Sequence, residues 1–266
     1  MSQPLVPPLE KSVDLRDYNP AHTPGTSREE ALADIVPLRV RLNELQDLLY
    51  ADQRFAFLVV LQGLDTAGKD GTVRSVFQEV GPLGCSVVSF GVPSEEERAH
   101  DYLWRVHQHA PERGKLVIFN RSHYESVLVE RVHELVPKET WKRRYDEINA
   151  FERLLVAEGT VIVKFFLHIS KDEQRERLQE RVDNPKKRWK FRAGDLDERK
   201  LWDQYQEAFA DMLTQCNTKH APWHVVPADH KWYRDVVVAR TLISKLEELD
   251  LRYPEPAEGV AGTKVV

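Results

Sequence analysis

The residues of this chain with the clearest chemical meaning are Gly63-Leu64-Asp65-Thr66-Ala67-Gly68-Lys69-Asp70, which fit the spacing G-x-x-x-x-G-K. A loop of this kind sits between a buried strand and a helix. Its backbone N–H groups and the positive end of the helix converge on phosphate oxygens, while the lysine ammonium reaches further phosphates. Glycines let the backbone approach closely. The apolar run Phe55 to Gln62 precedes the loop and a helical pattern opens near Gly71, so the required context is present. The candidate phosphate-binding residues are Gly63, Thr66, Ala67, Gly68, Lys69, Asp70, Gly71 and Thr72.

Two carboxylates set this loop apart. Ser or Thr ordinarily follows the lysine and ligates magnesium; here Asp70 follows it, and Asp65 lies within the loop. A carboxylate beside a triphosphate repels it unless a cation lies between, so Asp65 and Asp70 point to Mg2+, with Mn2+ as the substitute, bridging protein and phosphate. The blander account makes Asp70 an acid favoured at a helix N-terminus and Asp65 a turn residue. Further along, Asn120 closes the apolar run Leu116 to Phe119 where a P-loop protein places an acid beside the metal; its neutral oxygen still accepts a bond from a metal-bound water. Arg121 would put a fork-shaped charge at the C-terminal edge of the sheet, where it could neutralise a transferred phosphoryl, or else pair with Glu125 one turn on.

Positive charge concentrates in one later stretch. Arg175, Arg177 and Arg181 lie on a helical pattern, and Asp183 to Asp195 follows with Lys186, Lys187, Arg188, Lys190 and Arg192 interleaved with Trp189 and Phe191. Turn residues at both ends mark an insertion, about residues 183 to 196, that reads as a mobile lid over the phosphate loop. A long chain of phosphates would occupy all these cations. An ATP-kinase lid, a merely solvated basic loop, aromatic stacking on a single nucleic-acid strand, and aromatic anchoring of the lid to the core are the alternatives. His107 and His109 lack the further ligands of a metal site and read as structural.

These groups need a scaffold to bring them together. The chain has 266 residues, 41% hydrophobic and 30% charged, enough for one α/β domain and its decorations. Its net charge of −5 argues against a surface built for nucleic acid. No apolar run reaches membrane-spanning length and no signal-like segment opens the chain, so a cytoplasmic protein is expected. Cys85 and Cys216 are too few for a disulfide framework or a zinc site and read as buried thiols. Strands are expected at Phe55–Gln62, Cys85–Phe90, Leu116–Phe119, Val161–His168 and His224–Val226, alternating with helices in right-handed βαβ units. Ser27, Ser94 and Ser170 are the expected helix caps, the last two with Glu at capping-box spacing. An arm over residues 1–25, a domain over 26–250 and a flexible tail over 251–266 complete the expected organisation.

In order along the chain, GLDTAGKDG, SFGVPSEEE, DYLWRVHQHAP, VIFNRSHYE, FFLHISKDEQRERLQER, the WKF of the basic insertion and APWHVVPA together resemble the second polyphosphate kinase family, from about Glu30 to Tyr253. The resemblance implies a P-loop nucleoside triphosphate hydrolase fold, thymidylate-kinase-like, with a five-stranded parallel sheet, flanking helices and a lid. It also implies reversible phosphoryl transfer between inorganic polyphosphate and adenine nucleotides, without nucleic-acid or membrane partners, in a homo-oligomer. Asn120, where many members have Asp, resembles the subgroup acting on both AMP and ADP. By position, Asp65, Lys69, Asn120, Arg121 and Arg181 would be catalytic, Asp65 and Asn120 would ligate metal, and Arg177 with the lid cations would hold polyphosphate.

Overall fold

The computed structural model describes residues 5–258 and 260, and its organising element is one five-stranded parallel sheet in the order β2-β3-β1-β4-β5. Its strands are β1 (Ala56–Gln62), β2 (Cys85–Ser89), β3 (Leu116–Asn120), β4 (Thr160–His168) and β5 (Trp223–Pro227). The central strand β1 is covered on both faces, which is why it reads as an unbroken apolar run rather than an alternation. Phe57, Val59 and Leu61 face one core, Leu58 and Val60 the other. β2 stands at an edge with Val87 exposed, so it is half-buried where the others are covered.

Helices α1 (Arg28–Asp52), α2 (Lys69–Val76) and α10 (Lys231–Glu247) cover one face, while α6 (Lys138–Ala157) and α9 (Trp202–Gln215) cover the other. The short helices α3 (Glu95–Ala99), α4 (Trp104–His107), α5 (Val129–Val132) and α8 (Gly194–Lys200) decorate the ends, and α7 (Lys171–Asp183) follows β4. Capping boxes close at Ser27–Glu30 and Ser94–Glu97. At Ser170 only half of the box forms: its hydroxyl accepts from Glu173 N, but its own N–H goes to Asp229 at 2.8 Å and Glu173 turns to Arg177 instead.

The described part of the N-terminal arm is tied down. Leu5 exchanges backbone bonds with Val225 of the edge strand β5 at 2.9 and 2.8 Å, while Val13 and Leu15 enter the core beside α9. It thereby blocks an open strand edge. The expected flexible tail falls partly outside the described residues, at 259 and 261–266. Its start is in view, with Arg252 N bonded to Asp52 at 2.6 Å. Both cysteines are free thiols, Cys216 buried and Cys85 half-buried; burial pushes them up to about 12 and about 11 respectively. Among the described residues no helix is long and apolar enough to cross a membrane.

Candidate active site

The C-terminal ends of β1 and β3 finish side by side, with Leu61 in register with Asn120, so the phosphate loop and the Asn120–Arg121 turn emerge at one sheet edge. Gly63 and Gly68 carry the bends, at φ 154° and 105°. A Cβ on Gly63 would lie 2.8 Å from the Leu167 carbonyl, and one on Gly68 would overlap the guanidinium of Arg234. Gly68 caps α2 without a side-chain bond, which leaves first-turn N–H groups facing outward for an anion. Lys69 is buried; its ammonium donates to the Gly63 and Leu64 carbonyls at 2.7 and 3.2 Å. Burial, with Arg121 nearby, lowers it to about 8.

The loop's back side is fastened by Arg177. All five of its N–H groups are used: Nε on Glu173 at 2.6 Å, Nη1 on the Thr66 and Ala67 carbonyls at 2.9 and 3.0 Å, Nη2 on the Ala228 and Asp229 carbonyls at 2.5 and 3.0 Å. Arg177 borders the main cleft where it is expected beside polyphosphate, and its N–H groups, spent on protein, also hold the loop. Ala67 is likewise turned inward, its N–H spent on the Leu64 carbonyl at 3.0 Å, and Thr72 is buried in α2; neither lines the cleft. Gly63 lines the neighbouring pocket rather than the main cleft.

Asp65, Asp70, Asn120 and Arg121 do come together. Asn120 Nδ2 donates to Asp70 at 2.7 Å, and Arg121 donates to Asp65 and, at 3.2 Å, to Glu125. Arg121 thus pairs with Glu125 and also lines the cleft beside Asp65. Burial would raise the Asp65 carboxyl, but Lys69, Arg121 and Arg181 outweigh it and hold it below the ordinary carboxylate range. For Arg121, burial is outweighed by Glu125 and Asp65, and its value rises. Asp65, Asp70 and the Asn120 amide offer hard oxygen donors on one cleft, a set that suits Mg2+. No group of three or more His, Cys, Asp or Glu forms a metal cage among the described residues. One or two carboxylates completed by substrate phosphates is how Mg2+ is commonly held.

The cleft above the loop has a volume of 670 Å³ and is lined by nine cationic side chains against four carboxylates, in a chain whose net charge is −5. Lys187, Lys190 and Arg192 reach it from the basic segment, and Arg181 from α7, bonded at 3.4 Å to the Lys190 carbonyl and at 3.3 Å to Asp195. Lys186 and Arg188 do not line it; Arg188 bonds the Val182 carbonyl at 2.8 Å. Trp189 is 77% exposed, so it does not anchor the segment to the core. A second pocket of 300 Å³ adjoins the cleft and shares Asp65, Arg121, Arg192 and Asp195 with it; Leu64, Leu128 and Phe209 are among its apolar lining.

Two residues of this site, Lys231 and Arg234, belong to no motif. Arg234 is buried against Asp235 at 2.6 and 2.8 Å, with its free Nη1 toward Gly68, and burial lowers its value. Lys231 and Lys187 flank Glu180, at 3.7 Å and in direct contact. The only sequence hint was position: Lys231 and Arg234 open the helix that follows the last strand, at the ligand-binding edge of an open sheet.

The sheet order, the strand-loop-helix around Lys69 and the cationic cleft define a P-loop kinase fold. The family model described as Polyphosphate kinase 2 (PPK2) matches residues 25–254, and the chain belongs to that family. It is 54% identical over 95% of its length, and 95% of the relative's, to a Meiothermus ruber protein named AMP/ADP-polyphosphate phosphotransferase. A Rhodopseudomonas palustris protein named ADP-polyphosphate phosphotransferase is 43% identical over 92% of this chain and 89% of its own. The crystal structure of polyphosphate kinase 2 from Arthrobacter aurescens superposes with a TM-score of 0.91 at 39% identity, covering 96% of both chains.

Proposed function

We propose that this protein transfers a phosphoryl group reversibly between inorganic polyphosphate and AMP or ADP by direct in-line displacement. The observation that carries this reading is the excess of cations along the cleft, from Lys69 and Arg234 at the loop to Lys187, Lys190 and Arg192 on the basic segment. One nucleotide does not require so many. In this reading the polyphosphate lies in the 670 Å³ cleft and the nucleoside in the 300 Å³ pocket, with Asp65 and Arg121 at their shared wall.

Each residue then has a task. The outward N–H groups of α2 and the Lys69 ammonium hold the reacting phosphates, and Arg121 with Arg181 neutralises the oxygens of the transferred group. Asp65 orients the acceptor; it stays ionised because three cations surround it. The basic segment closes as a lid and excludes water. Mg2+, held by Asp65, Asp70 and Asn120, would supply neutralisation of phosphate charge when bound. The names of the relatives support both AMP and ADP as acceptors. A homo-oligomer is what the family resemblance implies.

Incubation of the protein with AMP, polyphosphate and Mg2+, with no ATP added, tests the reading directly. ADP followed by ATP is expected. Product only when ATP is supplied would make the protein an ATP-dependent nucleotide kinase instead.

A further inference from the structure

The turn that bears Arg121 is rooted in a buried polar cluster that phosphate binding does not explain. Glu152 of α6 and Lys164 of β4 are both fully buried, their charges 2.6 Å apart. Tyr124 Oη donates to Glu152 at 2.7 Å and accepts from Lys164 at 2.8 Å, while Lys164 gives its remaining proton to the Cys216 carbonyl at 2.8 Å. His123 Nε2 faces Glu152 at 3.1 Å. Burial would raise the Glu152 carboxyl, yet Lys164 and His123 hold it below its ordinary value; burial pushes the Tyr124 phenol far up. The carboxylate is thus an acceptor only, and both Tyr124 and His123 donate to it.

The same turn is fastened at two more points. Ser122 Oγ accepts from Gln62, the last residue of β1, at 3.0 Å, and Arg144 donates to the Ser126 carbonyl at 2.9 Å. Immediately before the first of these anchors Arg121 adopts a left-handed backbone with φ 64°. Such a conformation costs a long side chain on the order of 1 kcal/mol and persists only where the surroundings over-determine it. A buried ion pair adds little stability over apolar groups of the same volume; a single enforced geometry is what such a cluster can supply. The enforced geometry here is one residue away from a guanidinium that contacts Asp65.

We propose that Glu152, Lys164 and Tyr124 are positioning residues for phosphoryl transfer, holding the 122–126 turn so that Arg121 faces Asp65 and the reacting phosphate. None of the three lines the cleft, so they act through Arg121 and not by touching substrate. The inference rests on the phosphoryl-transfer reading given above.

The test is Tyr124→Phe, which removes one oxygen and no volume, measured alone and in an Arg121→Ala background. The variant should fold, lose about tenfold or more in kcat, and keep its KM for polyphosphate within about twofold, because misplacement of a charge costs rate rather than binding. With Arg121→Ala already present, the same change should cost less than about twofold. A normal kcat in Tyr124→Phe, or an equal loss in both backgrounds, would overturn the proposal. If Tyr124→Phe proves too unstable to assay, the apolar pair Glu152→Leu with Lys164→Met serves: a folded variant with full kcat overturns the proposal, and one with reduced kcat supports it. Were the wild type itself inactive with polyphosphate, the functional reading would fail on its own. The NMR signal of Arg121 Nε–H would still decide the positioning claim: a displaced signal in Tyr124→Phe supports it and an unmoved one refutes it.

Discussion

The phosphate loop and the basic segment face each other across one cleft, yet they are built in opposite ways. Every turn of the loop is held: Lys69 and Arg177 grip its carbonyls, and Gly63 and Gly68 leave no room for a Cβ. Among the described residues, the segment over residues 184–193 bonds only to itself, as Trp189 Nε1 does to the Lys186 carbonyl at 3.1 Å, and to the adjoining α7 and α8, and none of its bonds reaches the loop or the sheet. The contrast matches two different demands. A reacting phosphoryl must be placed within a fraction of an ångström, whereas a chain of identical phosphates needs charge without fixed register. A rigid half for chemistry and a loose half for grip satisfies both.

The largest expected effect comes from removing the charge at the centre of the rigid half. Lys69→Ala should lower kcat by about a hundredfold or more while the variant still folds with an unchanged circular-dichroism spectrum, since the ammonium acts on developing phosphate charge. Near-normal turnover would defeat the assignment.

Arg177→Met probes rigidity itself. It leaves four carbonyls and Glu173 without their donor, which should cost roughly 3 kcal/mol of stability, read by denaturant unfolding, along with most of the activity. If stability held but polyphosphate binding fell, Arg177 would belong to the grip after all.

On the loose half, replacing Lys187, Lys190 and Arg192 together by Gln should raise the KM for polyphosphate by about tenfold and leave kcat nearly unchanged, because exposed charges contribute under about 1 kcal/mol each. The residual salt dependence of KM should also shrink. A large drop in kcat instead would show that the segment takes part in the chemical step.

A smaller effect is expected from pH. Lys69 is lowered to about 8, so kcat/KM for polyphosphate should fall as pH rises through that value, where the free enzyme loses the ammonium. Bound phosphate favours the charged form, so the limb in kcat should lie higher. Lys69→Arg should remove the limb. In stability the sign is reversed: the folded state holds this proton less tightly than the unfolded chain, so the cost of burying the charge is present below about 8 and is relieved as pH rises from there toward the ordinary lysine value.

Much of the loose half and half of the rigid one were legible in the sequence. G-x-x-x-x-G-K between an apolar run and a helical pattern located Gly63 to Lys69, and the charge run located Lys187, Lys190 and Arg192. The structural task of Arg177 was hidden because its charge and spacing resemble those of Arg175 and Arg181; only the fold shows the carbonyls of Thr66, Ala67, Ala228 and Asp229 converging on it. Arg234 was silent for the same reason, since its neighbour Gly68 lies far away in the chain. Lys164 sat unremarked within the strand VIVKFFLH, a cation in an apolar run whose partner Glu152 is on another element.

Residue order by itself determined the parallel sheet, the loop at its edge and the class of ligand, because backbone propensity, apolar periodicity and charge are local properties that spacing records. The tertiary structure alone decided which arginines remain free to meet phosphate and which are consumed by the protein, and what holds the Arg121 turn in its strained form. Those outcomes depend on carbonyls and carboxylates brought within hydrogen-bond range from remote segments, and no local pattern encodes that meeting.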